Sequence, residues 1–343
     1  MMKSALTHLA AILLASQSLY ALEFEFTGTD GMDADALAGF NAAADFWSSQ
    51  FTDDVTINIE IGFSTLGAGI LGSTSSTTQY ISISDFYTSI AADATSADDL
   101  TSSANLSPLA GNGKLSFITQ TDSENGSMLT SLDSDNSGNN LSMDINTANA
   151  KAIGLFDGSS TSDGSIVFSD TFPWDFDASD GIDGDKYDFV GVAVHEIGHA
   201  LGFVSGVDTV DFAVSNDIDL ENYRVFTPLD MFRYADDSGT LNLAAGADAY
   251  LSIDGGQTAI ASMSTGSANG DGQQASHWKD NLDIGALDPT LALGEIVDVT
   301  STDLLAFDII GWDLAPVPEP ASFLFISLAG IGAMSVRRRK VAC

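Results

Sequence analysis

Two histidines one helical turn apart flank a glutamate in Val194-His195-Glu196-Ile197-Gly198-His199-Ala200-Leu201-Gly202-Phe203. On a helix, positions i and i+4 point the same way. His195 and His199 can therefore each bring a ring nitrogen about 2.0–2.1 Å from one zinc ion. Glu196 is rotated off that line, placed to reach a water on the metal rather than the metal itself. Zinc lowers the pKa of such a water toward about 7, and a carboxylate beside it can take the proton and later return it to a leaving group. The chain has four histidines. His8 lies in a leader described below, so His277, in Ala275-Ser276-His277-Trp278, is the only other one. Two core histidines bonded to carbonyls would explain neither Glu196 nor this scarcity.

A catalytic zinc needs a third protein ligand and one open position. Four residues are candidates: Asp208, Asp211, Glu221 and His277. Glu221 would suit a site completed by a glutamate from a second helix, and Asp208 is close to the motif in the chain.

The elements that must hold these groups follow from apolar periodicity. Asp188 to Phe203 reads as a helix, with Asp188 as N-cap and Val190, Val194, Ile197 and Leu201 at helical spacing. It is apolar almost all round and so predicts burial. Buried polar His195, Glu196 and His199 need partners, and a metal is the simplest one. Asp33 to Phe51 predicts a helix with Leu37, Phe40, Ala44 and Trp47 on one face, and Val55 to Phe63 alternates as a half-buried strand. Short helices are expected at Asp85 to Ala92 and around Leu100, and strands at Ala148 to Phe156 and Ser165 to Phe168. Thr302 to Ile310 predicts a helix stopped by Gly311 and packed through Phe307 and Trp312. Residues 22–314 therefore read as one α+β domain.

Gly202, three residues after His199, is similar to the metzincin pattern, in which a glycine ends the metal helix. In most metzincins the third ligand comes three residues later. Here that position is Ser205, a poor zinc ligand. The stretch Gly272-Gln273-Gln274-Ala275-Ser276-His277-Trp278-Lys279 resembles the leishmanolysin group, where an insertion separates the glycine from a third histidine in a Ser-His-Trp context. The resemblance is confined to Val194–Phe203 and Ala275 to about Pro289. Ala42–Trp47, Tyr187–Val192 and Leu229–Tyr234 are similar to stretches of exported bacterial PEP-CTERM metalloproteases. This likeness implies zinc ligation by His195, His199 and His277, with Glu196 as catalytic base and acid. It implies a zinc endopeptidase acting on protein or peptide substrates. It also implies a metzincin-like fold with a twisted sheet, an active-site helix and a C-terminal helical subdomain, interrupted by an insertion at about 204–276. One position departs from it: Leu287, in Gly285-Ala286-Leu287-Asp288-Pro289, stands where a metzincin turn carries methionine.

The two ends carry addresses. Lys3, an apolar run from Ala5 to Ala15 and small residues up to Ala21 describe a secretory signal peptide over 1–21. Residues 315–343 hold Val317-Pro318-Glu319-Pro320, an apolar run from Phe323 to Val336, and Arg337-Arg338-Arg339-Lys340. That order resembles the PEP-CTERM sorting signal of Gram-negative bacteria. It implies an exosortase-type processing enzyme as partner, transient inner-membrane anchoring through a short transmembrane segment, and delivery to the cell surface or outside. The one cysteine, Cys343, lies in this tail, so the domain has no disulfide and no thiolate ligand.

The chain carries 48 acidic and 11 basic residues. Setting aside Lys3, Glu319 and the four tail cations leaves 47 acids and 6 bases between residues 22 and 317, a net of -41. Nothing so acidic is a nucleic-acid binder. Two acidic loops are candidates for calcium, although each reads first as a solvated loop: Asp133 to Asp144, at a calcium-loop spacing, and Asp175, Asp177, Asp180, Asp183 and Asp185. The reading that competes with an enzyme is a surface or matrix protein that holds zinc without catalysis. A structural site has no need of a base at Glu196.

Overall fold

A computed structural model describes residues 22–124, 127–158 and 161–316. The segments expected to be a signal peptide (1–21) and, beyond Pro316, a sorting tail lie outside the described residues. Among those described, no helix is long and apolar enough to cross a membrane.

The chain opens with a βαβ unit. Strand β1 (Glu23–Thr27) leads to helix α1 (Ala34–Gln50) and returns as β2 (Thr56–Ser64), parallel to β1. Asp33 caps α1 by accepting the N–H groups of Asp35 and Ala36 at 2.9 and 3.3 Å. Phe40, Ala44 and Trp47 of the expected face are buried, and Leu37 is half-buried. Two short strands follow, β3 (Gly72–Ser76) and β4 (Thr78–Ser82), and then α2 (Ile83–Asp93) and α3 (Ala97–Ala104). A hairpin, β5 (Phe117–Glu124) and β6 (Ser127–Asp133), precedes α4 (Gly138–Leu141), β7 (Ser142–Asn146), α5 (Thr147–Ala152) and β8 (Gly164–Ser169).

The first sheet has the order β1-β2-β8-β3. Strand β8 runs parallel to β2, while β3 runs antiparallel to β8 and forms the edge. After β9 (Trp174–Asp175) and β10 (Tyr187–Asp188), helix α6 (Phe189–Leu201) carries the His-Glu-His motif. It packs between α1 and the sheet edge. A Cβ on Gly39 would come 2.5 Å from the Phe189 ring, so α1 must present a glycine there. Trp47 donates its indole N–H to the Val194 carbonyl at 3.0 Å.

The chain beyond α6 is helical only in part. It contains α7 (Val207–Ser215) and α8 (Ser301–Ile309), but also four short strands: β11 (Arg233–Tyr234), β12 (Leu241–Asn242), β13 (Ala249–Leu251) and β14 (Ala261–Met263). These join β5 and β6 in a second sheet of order β14-β13-β11-β12-β5-β6. The segment read as an insertion is therefore woven into a sheet with earlier strands. The molecule is α+β, with several sheets rather than one.

One expected strand is a helix. Ala148 to Phe156 alternates Ala with Asn149 and Lys151, which mimics strand period, yet Thr147–Ala152 is helical. Alanine favours helix over strand. The polar positions here are not a solvent face either. Asn149 is buried and donates to the Ile310 carbonyl at 2.8 Å. Lys151 is buried on Asp163 at 2.6 Å and also donates to the Thr56 carbonyl at 2.8 Å. Asp163 in turn accepts from the Asn58 N–H and the Thr147 hydroxyl. Removing one partner of such a pair strands a buried charge. Lys151→Met is expected to lower unfolding free energy by about 3–5 kcal/mol in a denaturant titration, and Lys151→Met with Asp163→Asn to recover part of it.

Candidate metal centre

Helix α6 is fixed at both ends. Asp188 accepts the Gly191 N–H at 2.9 Å through one oxygen and the Val297 N–H at 3.2 Å through the other. Gly202 ends the helix at φ 124°, a conformation that favours glycine. Asn146 then satisfies the final carbonyls, donating to those of His199 and Ala200 at 2.9 and 3.1 Å.

Three imidazoles converge. The Nε2 atoms of His195 and His199 are 3.0 Å apart, those of His199 and His277 3.2 Å, and those of His277 and His195 3.3 Å. Each Nδ1 faces a backbone carbonyl: His195 that of Ala286 at 2.8 Å, His199 that of Phe203 at 2.8 Å, His277 that of Gln274 at 3.2 Å. A carbonyl only accepts, so each ring proton belongs on Nδ1 and each Nε2 lone pair points inward. Three lone pairs facing one another repel unless a cation lies between them. Four tetrahedral ligands 2.0–2.1 Å from zinc would be spaced by about 3.3 Å, close to the spacings observed. The donor set and its carbonyl partners therefore fit a metal ion.

Burial favours the neutral form of two of the rings, His199 and His277. It pushes His277 down to about 3, with the neighbouring His195 acting in the same direction. Burial also holds His199 well below the ordinary histidine range, aided by His195 and His277. Glu196 is 5 % exposed. Its carboxyl is raised by burial and partly brought back by His195 and by Thr74. The Thr74 hydroxyl lies 2.7 Å from Glu196 Oε2 and 2.8 Å from the Glu196 carbonyl. A Cβ on Gly72 would stand 2.6 Å from Glu196 Oε1. Edge strand β3 thus holds the glutamate from one side.

The other candidate ligands are engaged elsewhere. Asp208 accepts the N–H groups of Ala275 and Ser276 at 2.7 and 3.2 Å and the Ser276 hydroxyl at 2.5 Å. It grips the turn that carries His277. Asp211 similarly accepts the N–H groups of Ala268 and Asn269, both at 2.8 Å. Glu221 is exposed beside Ser137 and Asp135. Ser205 donates to Asp230 at 2.6 Å. Leu287 is fully buried, and a Cβ on Gly198 would meet its Cδ1 at 3.2 Å, so its side chain packs under the metal helix. Trp278 is buried, donates to Asp303 at 2.7 Å and packs on Phe203.

Of the two acidic loops, Asp133 accepts from Asn139, while Asp144 lies on β7 and lines the cleft near Arg224. Asp183 and Asp175 are answered by Lys186 at 2.6 and 3.9 Å.

Sequence reasoning missed Gly72, Thr74, Asn146 and the three carbonyl partners. Gly72-Ser73-Thr74-Ser75-Ser76 has no apolar alternation, so nothing marked it as a strand. Backbone carbonyls leave no trace in side-chain types.

The centre opens on a cleft of about 1430 Å³, larger than the 300–1,000 Å³ usual for a small-molecule pocket. Comparison with protein-family models, with curated proteins and with solved structures gives no match.

Changes to groups that orient metal ligands cost about 10–100-fold in affinity, and loss of a ligand costs more. His277→Ala is expected to weaken zinc binding by more than about 100-fold, Asp208→Ala by about 10–100-fold, and Glu221→Ala not at all. Competitive chelator titration measures all three. Wild-type affinity in His277→Ala would remove that residue from the centre.

Proposed function

We propose that the chain is an exported zinc-dependent endopeptidase of the leishmanolysin-like metzincin type. One observation carries this reading. A buried carboxylate, Glu196, is held beside three inward-facing imidazoles, and all four line one cleft. A site that only stores or braces a metal has no use for such a group.

Peptide is the substrate that the surroundings favour. Strand β3 is a sheet edge, paired to β8 on one side. Its residues Gly72, Ser73 and Thr74 line the cleft. An edge beside a reacting centre can pair with an extended peptide through main-chain hydrogen bonds. The same strand carries the Thr74 hydroxyl that orients Glu196, so substrate alignment and base alignment share one element.

When bound, zinc supplies Lewis acidity that acidifies water and polarises a carbonyl. The protein's own residues do the rest. His195, His199 and His277 would hold the ion through Nε2. Glu196 takes the proton of the attacking water and returns it to the leaving amine. Burial around Glu196 strengthens these interactions by excluding bulk solvent. Export follows from the leader at 1–21 and the tail at 315–343, which implies processing by an exosortase-type enzyme.

Glu196→Ala is expected to keep one zinc per chain and to lose about 10²–10⁴-fold in kcat/KM on a casein-type substrate. Undiminished cleavage would refute the role of Glu196. If the wild-type, zinc-loaded protein cleaves no peptide and chelator changes nothing, a non-catalytic zinc-binding surface or matrix protein is the better account.

A further inference from the structure

Among the described residues Arg224 is the one lysine or arginine that lines the cleft. The other five between residues 22 and 316 are answered by acceptors of the protein. Lys151, Lys186 and Lys279 pair with Asp163, Asp183 and Asp271. Lys114 and Arg233 donate to the carbonyls of Ser134 and Ser264. Arg224 alone makes neither an ion pair nor a hydrogen bond among the described residues, in a domain with 47 acids and 6 bases. Its Cζ stands 3.2 Å from the centroid of the Tyr80 ring. The side chain is half-buried, yet its Nε is fully covered and has no acceptor. A buried donor without a partner is costly and calls for an explanation.

Its place follows from its neighbours. Tyr80 on β4 pairs with Asp144 on β7, and the Asp144 N–H donates at 2.9 Å to the carbonyl of Phe226, two residues beyond Arg224. Two residues further along β7, Asn146 holds the last carbonyls of α6. Arg224 therefore belongs to the end of the cleft at the C-terminus of α6. Two residues of strand span about 7 Å, so an extended peptide needs about two to four residues to pass from the histidines to Arg224. The other end of the cleft lies at the N-terminus of α6, where Val297 is tied to Asp188. Glu295 and Asp298, on either side of Val297, line that end. Asp283 and Asp288 line the wall beside Ala286, the partner of His195.

We propose that Arg224 is a specificity-determining residue that receives the side-chain carboxylate of an aspartate or glutamate in the substrate, on one side of the scissile bond only. The proposal rests on the endopeptidase reading above. A guanidinium braced on an aromatic face keeps its charge and offers N–H groups in a fork that matches a carboxylate. The carboxylates at the opposite end repel the same group. Asp144 is the local competitor: burial raises its carboxyl and Arg224 pulls it partly back, but the two form no ion pair. The guanidinium is thus left to an incoming anion.

The test uses short neutral peptides that carry a single Glu, Gln or Lys at each position in turn, with the carboxyl terminus amidated or free. Cleavage by the full-length, zinc-loaded protein is read by mass spectrometry. Binding to zinc-loaded Glu196→Ala is read by fluorescence anisotropy. Glu is expected to be preferred over Gln by about tenfold at one or two adjacent positions on one side of the cut, in amidated peptides as well as free ones, and less so at high salt. On the other side Lys is expected to be preferred over Glu. Arg224→Gln is expected to abolish the Glu preference while zinc content is unchanged, and Arg224→Lys, which keeps the charge but not the fork, to retain part of it. Asp144→Asn is expected to increase it. No preference for Glu in the wild type, or an undiminished one in Arg224→Gln, would overturn the proposal. A preference seen only in peptides with a free carboxyl terminus would also overturn it, since the group read would be the chain end. Binding that discriminates Glu without any cleavage would keep the role of Arg224 and remove the endopeptidase; cleavage without discrimination would do the reverse.

Discussion

Three imidazole lone pairs pointed at one another make an arrangement that protein atoms alone do not stabilise. Each Nδ1 is committed to a carbonyl, so no ring can turn to donate to its neighbours without giving up that bond. A cation at their centre converts the repulsion into bonding. Much of the surrounding architecture serves to keep those rings in place. The carbonyls of Ala286, Phe203 and Gln274 come from three different turns, and each turn is itself anchored.

Those anchors explain where many of the buried acids are used. Asp208 holds the backbone of Ala275 and Ser276, beside His277. Asp303 accepts from both the Trp278 indole and the Ala286 N–H, at 2.7 and 2.9 Å, so one carboxylate steadies the turns below two of the histidines. Asp188 starts the metal helix and pins the 297 segment to it. Asp230 gathers Ser205, Gly206 and Thr227, the chain that leaves the helix. Hydrogen bonds of this kind from N–H and O–H groups satisfy a buried carboxylate without a paired base. A domain with few cations can therefore be built on aspartate.

The long-period features were legible in the sequence. Helix α6 and its cap, helix α1, strand β2 and helix α8 follow from apolar spacing and from capping residues. The two histidines of α6 follow from helix geometry. His277 was one of four candidates from residue type, and the family likeness singled it out; the structure brings its Nε2 to within 3.2 and 3.3 Å of the other two. Three features were not legible. Strand β3 is Gly, Ser and Thr only, so its place beside Glu196 is set by tertiary packing. Helix α5 has the alternation of a strand because its three polar residues, Thr147, Asn149 and Lys151, are all used inside the protein. The short strands β11 to β14 are too brief for a pattern, and the sheet they form is completed through β12 by β5, far away in the chain. Asp208 was legible as important but not in role, since the same carboxylate can bind a metal or a backbone.

X-ray absorption at the zinc edge of the purified, zinc-loaded protein addresses the centre most directly. The arrangement of Nε2 atoms predicts three nitrogen scatterers with the imidazole signature at about 2.0–2.1 Å and one light, exchangeable ligand. A shell with only two imidazoles completed by carboxylate oxygen, or four protein ligands with no exchangeable position, would contradict it.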